Sequence, residues 1–191
     1  MTTAAIRMPT ADRRAQIRSV AARLFATSGF HGVTIEDIGA ACGISGPAVY
    51  RHFPSKDAVL ADLLVDISEH LLAGGRREAA ADDALRRLVT FHLDFSLGHP
   101  DLIRVQDRDL ANLGDAGGRV RRLQRSYVDV WVAALLDALP ELDAAAARAR
   151  AHAVFGLLNS TPHSATRLDA ALIRSHLTSM ALAALHAPLP G

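Results

Sequence analysis

Hydrophobic residues recur every three or four positions along most of the chain, and polar residues occupy the positions between them. In the first such segment, Ile17, Ala21 and Phe25 form one apolar stripe with the spacing of an α-helix. Ser28 is followed by Gly29, and glycine readily adopts the left-handed conformation found after helix C-termini. The pattern therefore predicts a first helix that ends at Ser28.

Two short helices joined by a tight turn are predicted next. Thr34 is followed three residues later by Asp37, which is typical of a capping box at the start of a helix over residues 35–42. Gly43 lies in the turn, and a third helix is predicted over residues 46–53. The apolar residues expected to face inward are Ile38, Ile44, Val49 and Phe53. Two helices joined in this way form a helix-turn-helix arrangement.

Six further amphipathic segments follow, and each is bounded by glycine or proline. The fourth helix is predicted to begin at Lys56 and to end near Leu72, because Gly74 and Gly75 follow. The remaining helices are predicted over residues 82–97, 101–113, 119–139, 142–159 and 169–186. No segment shows a convincing strand pattern, so the predicted fold is all-α with about nine helices.

Composition and charge refine this prediction. Only 5% of the residues are aromatic, which argues against a β-sandwich or barrel. The net charge of +1 is not the strongly basic balance typical of nucleic-acid binders. The charge is unevenly distributed, however, because residues 1–57 sum to +3 and residues 58–191 to −2. The pattern indicates a basic N-terminal module on a larger, mildly acidic body.

Few residues suggest enzymatic or metal chemistry. The single cysteine, Cys42, excludes an intramolecular disulfide framework and a cysteine-rich zinc site. The nine histidines show no spacing typical of a helical zinc site, and no catalytic motif surrounds the serines. We therefore expect no catalytic residue, metal or cofactor. The sequence shows no secretory signal and no apolar run of about 18 residues, so we expect a cytoplasmic protein.

The predicted third helix offers side chains suited to the major groove of DNA. The candidate contacts are Thr34, Ser45, Gly46, Pro47, Ala48, Tyr50, Arg51, His52 and Lys56. Tyr50, His52 and Lys56 can donate hydrogen bonds to phosphate oxygens, and the two helix N-termini attract phosphate. Arg51 can bind a guanine with two hydrogen bonds, which is worth about 1–3 kcal/mol of base discrimination, or it can hold a phosphate.

The N-terminal pattern extends over many positions at fixed spacings: Ala22-Arg23-Leu24-Phe25-Ala26, Gly29-Phe30, Thr34-Ile35-Glu36-Asp37-Ile38, Gly43-Ile44-Ser45, Val49-Tyr50-Arg51-His52-Phe53 and Ser55-Lys56. With this pattern, residues 10–60 resemble the DNA-binding domain of the TetR family of bacterial transcriptional regulators. Gly39 departs from the family pattern, which usually has alanine there. Since glycine costs about 1 kcal/mol in a helix interior, we expect it to loosen the second helix.

The resemblance implies the rest of the organisation. Residues 1–9 would form a flexible N-terminal arm, residues 10–57 the helix-turn-helix DNA-binding domain, and residues 58–191 a helical effector-binding and dimerisation domain. The subunit would bind a palindromic operator in double-stranded DNA as a homodimer. A small-molecule effector would favour a conformation that no longer fits the operator, so that repression is lifted.

Two sets of C-terminal residues are candidates for these roles. Apolar stripes on the last two predicted helices would pair across the dimer, and they comprise Ala151, Val154, Phe155, Leu158, Ile173, Leu177, Met180 and Ala184. The alternative is that these stripes serve only the core of one subunit. The candidate effector pocket comprises Phe91, His92, Phe95, Arg104, Gln106, Arg108, Tyr127, Trp131, Asn159 and His163. For each aromatic residue in that set, plain core packing is the alternative.

The end of the eighth predicted helix suggests a class of effector. The run Asn159-Ser160-Thr161-Pro162-His163 resembles a subgroup of actinobacterial members often linked to lipid and acyl-CoA metabolism. That resemblance implies a largely apolar effector such as a fatty acyl-CoA or a related lipid. The rival hypothesis is a small helical ligand carrier or enzyme that retains the N-terminal fold without sequence-specific DNA binding.

Overall fold

The computed structural model describes residues 9–161 and 169–188, and within these ranges it is helical without a strand. The helices are α1 (Thr10–Ser28), α2 (Ile35–Ala41), α3 (Gly46–Tyr50), α4 (Lys56–Ala79), α5 (Ala84–Gly98), α6 (Pro100–Asp109), α7 (Gly117–Ala138), α8 (Ala144–Leu158) and α9 (Ala170–Leu185), with a 3₁₀ segment, Leu110–Ala116, between α6 and α7. The all-α prediction is thus confirmed. Most of the predicted arm, residues 1–8, lies outside the described residues.

Helices α1 to α3 pack around a shared apolar centre. Ile17, Phe25, Ile38, Val49 and Phe53 are at most 1% exposed. The predicted capping box is present at the start of α2, where the side-chain oxygen of the N-cap threonine accepts from a backbone N–H at 3.1 Å and its backbone N–H donates to a carboxylate at 2.8 Å. Local sequence signals therefore account for this part of the fold.

Helix α4 contradicts the boundary predicted for it. Instead of ending near Leu72, it continues through Gly74 and Gly75 to Ala79. A Cβ atom at Gly74 would lie 2.0 Å from Cζ of Phe91, and one at Gly75 would lie 2.4 Å from Cε2 of Tyr127. The glycines are therefore not a stop signal; they let aromatic rings from α5 and α7 lie directly on the α4 backbone, which offsets their low helix propensity.

The C-terminal helices form a second apolar centre. Helix α4 packs along α7 and α5, α7 packs on α8, and α9 packs on α8 and α5. Leu64, Leu88, Trp131, Leu135 and Leu158 are fully buried in this centre. Among the described helices, none combines the length and the apolar character needed to cross a bilayer. The helices thus form two groups, which α4 and α6 connect through their contacts with α1.

The apolar stripes predicted to form a dimer interface face the core of their own subunit. Ala151, Val154, Leu158, Ile173 and Leu177 are at most 8% exposed in the single chain. They leave almost no side-chain surface for a partner, because in the single chain they serve its own core, and their place in a dimer interface stays a prediction. Of the other three, Phe155 and Ala184 are half-buried, and only Met180 is strongly exposed, at 53%.

Candidate DNA-binding surface and ligand cavity

The turn between α2 and α3 depends on two glycines. Gly43 has a φ of +68°, a conformation that favours glycine. A Cβ atom at Gly39 would lie 2.9 Å from the carbonyl oxygen of Ile44 and 3.1 Å from the backbone nitrogen of Gly46. Gly39 therefore lets the turn pack closely against α2, and its carbonyl accepts a 2.9 Å hydrogen bond from the Ile44 N–H. The close packing favours glycine over alanine at this position, and the expected loosening of α2 stays a prediction.

Four of the predicted DNA contacts are exposed on α3 or directly next to its ends: Ser45, Pro47, Tyr50 and Arg51. The Tyr50 side chain is 51% exposed. Within the described residues, the side chains of Tyr50 and Arg51 make no hydrogen bond or ion pair, and the Ser45 hydroxyl does not cap the helix. These polar groups are thus available for a partner outside the chain.

Other predicted contacts are already engaged within the chain. The Lys56 ammonium group donates to the carbonyl oxygens of Phe30 and Val33 at 2.8 and 2.7 Å, and lies 4.4 Å from the Phe30 ring centroid. Gly46 is buried, with the Glu36 carboxylate 3.1 Å from where its Cβ would be. Lys56 therefore ties α4 to the loop before α2, and Gly46 lets the two short helices approach each other.

The remaining predicted contacts are only partly available. Thr34 is exposed, but its hydroxyl is within the capping box, 2.7 Å from the Asp37 carboxylate. Ala48 is half-buried. His52 is half-buried too, and its ring nitrogen Nδ1 is buried without a hydrogen-bond partner among the described residues. The exposed part of the candidate DNA-binding surface is therefore smaller than the full set of predicted contacts.

Ion pairs also reduce the basic character of the N-terminal helices. Arg14 and Arg18 of α1 lie 2.8 and 2.9 Å from the two carboxylate oxygens of Asp62 in α4, and Arg18 lies 3.3 Å from Asp66. The guanidinium of Arg14 also stacks 4.1 Å from the Phe53 ring centroid and donates to the His52 carbonyl. These two arginines hold α1, α4 and the end of the helix-turn-helix together.

The C-terminal group of helices encloses a cavity of about 200 Å³. The residues that line it come from α4 to α8, and they are Ser68, Leu71, His92, Gln106, Gln124, Tyr127, Val128, His152, Phe155 and Asn159. Four of the ten predicted pocket residues are in this set: His92, Gln106, Tyr127 and Asn159. The sequence interpretation missed the others, although Gln124, Tyr127 and Val128 share one face of α7 at helical spacing.

A chain of hydrogen bonds crosses the wall of this cavity. His92 is 3% exposed. Its Nδ1 atom lies 3.1 Å from the Tyr127 hydroxyl oxygen, and its Nε2 atom lies 3.0 Å from Oδ1 of Asn159. Burial lowers the pKa of His92 to about 4, although the hydrogen bond to Asn159 opposes this effect. Burial raises the pKa of Tyr127. Both side chains are therefore uncharged at neutral pH.

The direction of these hydrogen bonds follows from the chemistry of the groups. The amide oxygen of Asn159 only accepts, so Nε2 of His92 carries the hydrogen and Nδ1 accepts from the Tyr127 hydroxyl, an assignment made from geometry. The Trp131 indole N–H lies beside the same phenol oxygen and opposes the rise in the Tyr127 pKa, but it makes no hydrogen bond of normal geometry. Trp131 itself is fully buried behind the cavity wall.

Five further predicted pocket residues lie elsewhere, and one is not described. Phe91 packs against Gly74. The ring centroid of Phe95 lies 5.1 Å from that of His99, and both side chains line a different pocket. Arg104, Arg108 and Trp131 are not part of the cavity lining either. His163 lies outside the described residues.

Helix α6 connects the cavity to the N-terminal helices. Gln106 lines the cavity, and two positions later Arg108 donates to the Phe25 carbonyl of α1 and pairs with the buried Asp109 at 3.1 Å. In the following 3₁₀ segment, the amide oxygen of Asn112 lies 3.2 Å from a His31 ring nitrogen. A change in the cavity that displaces α6 would therefore act directly on α1.

The family comparison agrees with this geometry. Residues 17–63 match the family model described as bacterial regulatory proteins, tetR family. The N-terminal domain of this chain belongs to the TetR family. The matched stretch contains α2, the turn, α3 and all of the buried residues of α1. The family comprises bacterial regulatory proteins, and the members that are similar to this chain are transcriptional regulators.

Individual relatives of this TetR-family chain differ in how much they share with it. The HTH-type transcriptional regulator EthR of Mycolicibacterium smegmatis is 31% identical over 99 residues, which are 49% of this chain but only 46% of EthR. The HTH-type transcriptional repressor KstR2 of the same organism is 28% identical over 70% of this chain and 71% of KstR2. The solved structure of AibR in complex with isovaleryl coenzyme A and operator DNA has a TM-score of 0.74 and 20% identity, covering 88% of this chain and 97% of AibR.

Proposed function

We propose that the chain is a ligand-responsive repressor of transcription that binds a palindromic operator as a homodimer. The observation that carries this proposal is the pair of exposed side chains, Tyr50 and Arg51, without a partner among the described residues of a TetR-family helix-turn-helix. The similarity to KstR2, a transcriptional repressor, supports the direction of regulation. The site of action is the cytoplasm, where a bacterial operator is found.

The exposed groups suggest distinct contacts with the operator. Tyr50 and the Ser45 hydroxyl would donate to phosphate oxygens, which positions the protein without reading bases. Arg51 would read a guanine, and the exposed ring of Pro47 would approach the base edges. Lys56 and Gly46 act from behind this surface, because their contacts set the position of α3.

The homodimer would use the faces of α8 and α9 that the subunit leaves open. On α8 these are the exposed small residues Ala145, Ala149, Ala153 and Gly156. On α9 they include Leu172 and Met180, which are 50% and 53% exposed and are the large apolar side chains left uncovered in this part of the described chain. Small residues permit close helix packing, and uncovered apolar side chains favour burial in a four-helix interface.

Release of the operator would follow from differential binding. An effector in the cavity that favours a different position of α6 would shift α1 through Arg108 and change the separation of the two recognition helices. AibR, with its isovaleryl coenzyme A and operator, shows that one protein of this fold binds both kinds of partner. A fatty acyl-CoA or related lipid effector stays a prediction.

The test begins with selection of DNA fragments that the purified chain binds from its own genome, followed by electrophoretic mobility shift with the selected fragment. Tyr50→Ala should weaken binding to all fragments, and Arg51→Ala should also relax base preference, at a cost of about 1–3 kcal/mol. Arg125→Ala, which removes an exposed arginine of α7, is the matched control and should bind as the parent does. Unchanged binding by both α3 variants would refute the proposed surface and favour the carrier hypothesis.

A further inference from the structure

We propose that the cavity beside His92 binds a small, uncharged, planar compound with hydrogen-bonding groups, of which an aromatic amide is the simplest example. The inference rests on the proposed function, because this cavity is the effector site in that proposal. It departs from the acyl-CoA prediction, since the bulk and phosphate charges of coenzyme A do not suit the lining. Size, charge, hydrogen bonding and shape each support the assignment.

The size of the cavity limits its occupant. A volume of about 200 Å³ lies below the roughly 300–1,000 Å³ of pockets that hold drug-sized ligands. His152 lines the cavity and is also exposed, so the opening lies beside α8. Trp131 is fully buried and packs edge-on against Phe155 of the lining, with the two ring centroids 5.0 Å apart, so the cavity is closed on that side.

The lining carries no compensating charge. Among the residues that the structure describes there, none is Asp, Glu, Lys or Arg. The two arginines that the sequence placed in the pocket are directed elsewhere: Arg104 pairs with Asp101 at 3.1 Å, and Arg108 holds α1. His92 is neutral. A carboxylate or phosphate in this cavity would lose its hydration without gaining the counter-charge of a Lys or Arg, which disfavours charged ligands.

The lining does offer unused hydrogen-bonding groups of both kinds. The side-chain amides of Gln106 and Gln124 make no hydrogen bond within the described chain. Asn159 directs its amide oxygen to His92, which leaves its NH₂ group to donate. The Tyr127 oxygen donates its own hydrogen to His92 and can still accept one. A ligand with adjacent donor and acceptor atoms, as in an amide, can satisfy these groups together.

Aromatic rings give the cavity a flat wall. The rings of Tyr127 and Phe155 are stacked with centroids 5.6 Å apart and planes 23° apart, and the His92 ring lies 14° from that of Tyr127. The Trp131 ring packs edge-on against the Phe155 ring, with their centroids 5.0 Å apart, and supports this stack from behind. Nearly parallel rings favour a planar ligand, which can stack against them and against the apolar side chain of Val128.

The decisive comparison uses two probes of nearly the same size and shape. Benzamide is uncharged, and benzoate replaces its NH₂ group by a second, charged oxygen. For so small a compound we expect a dissociation constant of about 1 mM, so 10 mM benzamide should raise the melting temperature of the full chain by about 3–6 °C. Benzoate at the same concentration should cause no rise. Titration calorimetry gives the two affinities directly.

Substitutions locate the probe in the cavity. Gln106→Met and Gln124→Met keep side-chain length but remove the amide, and each should weaken benzamide binding about fivefold through loss of one hydrogen bond. Gln16→Met, in α1 far from the cavity, is the matched control and should bind benzamide as the parent does. The melting temperature of each variant without benzamide shows that it folds.

Four results would overturn the assignment: no binding of benzamide, benzoate binding as tight as benzamide binding, benzamide binding that neither methionine variant weakens, or micromolar binding of palmitoyl-CoA that Gln124→Met weakens. Operator binding without benzamide is measured separately on the same preparation. If operator binding persists and benzamide fails, only the ligand class is refuted. If benzamide binds but no operator is found, the proposed function is refuted instead.

Discussion

The buried His92 makes a prediction about acid stability that can be worked out from its surroundings. Its pKa is lowered by burial to about 4 in the folded chain, and an unfolded chain has the ordinary value of 6.5. Between these two values the unfolded state binds more protons than the folded state, so stability is lost as the pH falls from 6.5 towards 4. Above pH 6.5 this contribution is fully present.

The size of the effect follows from the same two values. Each pKa unit corresponds to about 1.4 kcal/mol, so complete titration of His92 would remove about 3 kcal/mol of folding free energy. Most of this, about 2 kcal/mol, should be lost between pH 7.5 and pH 5. For a chain of this length the loss corresponds to a fall of about 4–8 °C in melting temperature.

The assay compares melting temperatures at pH 7.5 and pH 5 for the parent, His92→Gln and His70→Gln. Glutamine at position 92 can still hydrogen-bond but does not titrate, so that variant should lose about 4–8 °C less than the parent over this pH range. His70 is exposed, and its replacement by glutamine is the matched control for the substitution itself. Equal pH dependence in all three proteins would refute the assignment of a buried, neutral His92.

Two other predictions concern the α4 glycines and the α6 link. Gly75→Ala should destabilise the chain by about 1–3 kcal/mol in denaturant unfolding, because the new Cβ would lie 2.4 Å from the ring of the buried Tyr127. The control Gly98→Ala places its Cβ where no atom lies within 4 Å and should not destabilise the chain. Equal stability of the two variants would contradict the packing argument. Arg108→Gln should leave operator affinity within about threefold of the parent but reduce its release by effector at least fivefold. Release as efficient as in the parent would show that coupling does not pass through Arg108.

Local signals in the sequence predicted the N-terminal helices well. The capping box at Thr34, the turn at Gly43 and the inward positions of Ile38 and Val49 each depend on residues close together in the chain. Rules for helix ends failed at Gly74 because those rules describe isolated helices. Here the Phe91 ring of another helix lies against the backbone and leaves no space for a Cβ atom. The neighbouring residues in the sequence do not determine which face of a helix packs against a helix distant in the chain.

The same reason explains the errors in the C-terminal helices. Helix α8 carries alanine on both its buried and its exposed sides, as Ala151 and Ala149 show, so its hydrophobic pattern does not identify the outward face. In the cavity, the sequence identified His92 and Tyr127 as chemistry-bearing residues. The sequence did not indicate that Arg108 would donate to a backbone carbonyl of α1, because this hydrogen bond depends on how α6 packs across α1.

The most direct test of the central claim is the ratio of two dissociation constants, measured by fluorescence anisotropy at one physiological salt concentration. One constant is for the selected palindrome, and the other is for a scrambled duplex of the same length and base composition. A sequence-specific regulator should bind the palindrome at least about 10³-fold more tightly, with two subunits per duplex. A ratio near one would contradict the assignment of this chain as an operator-binding protein.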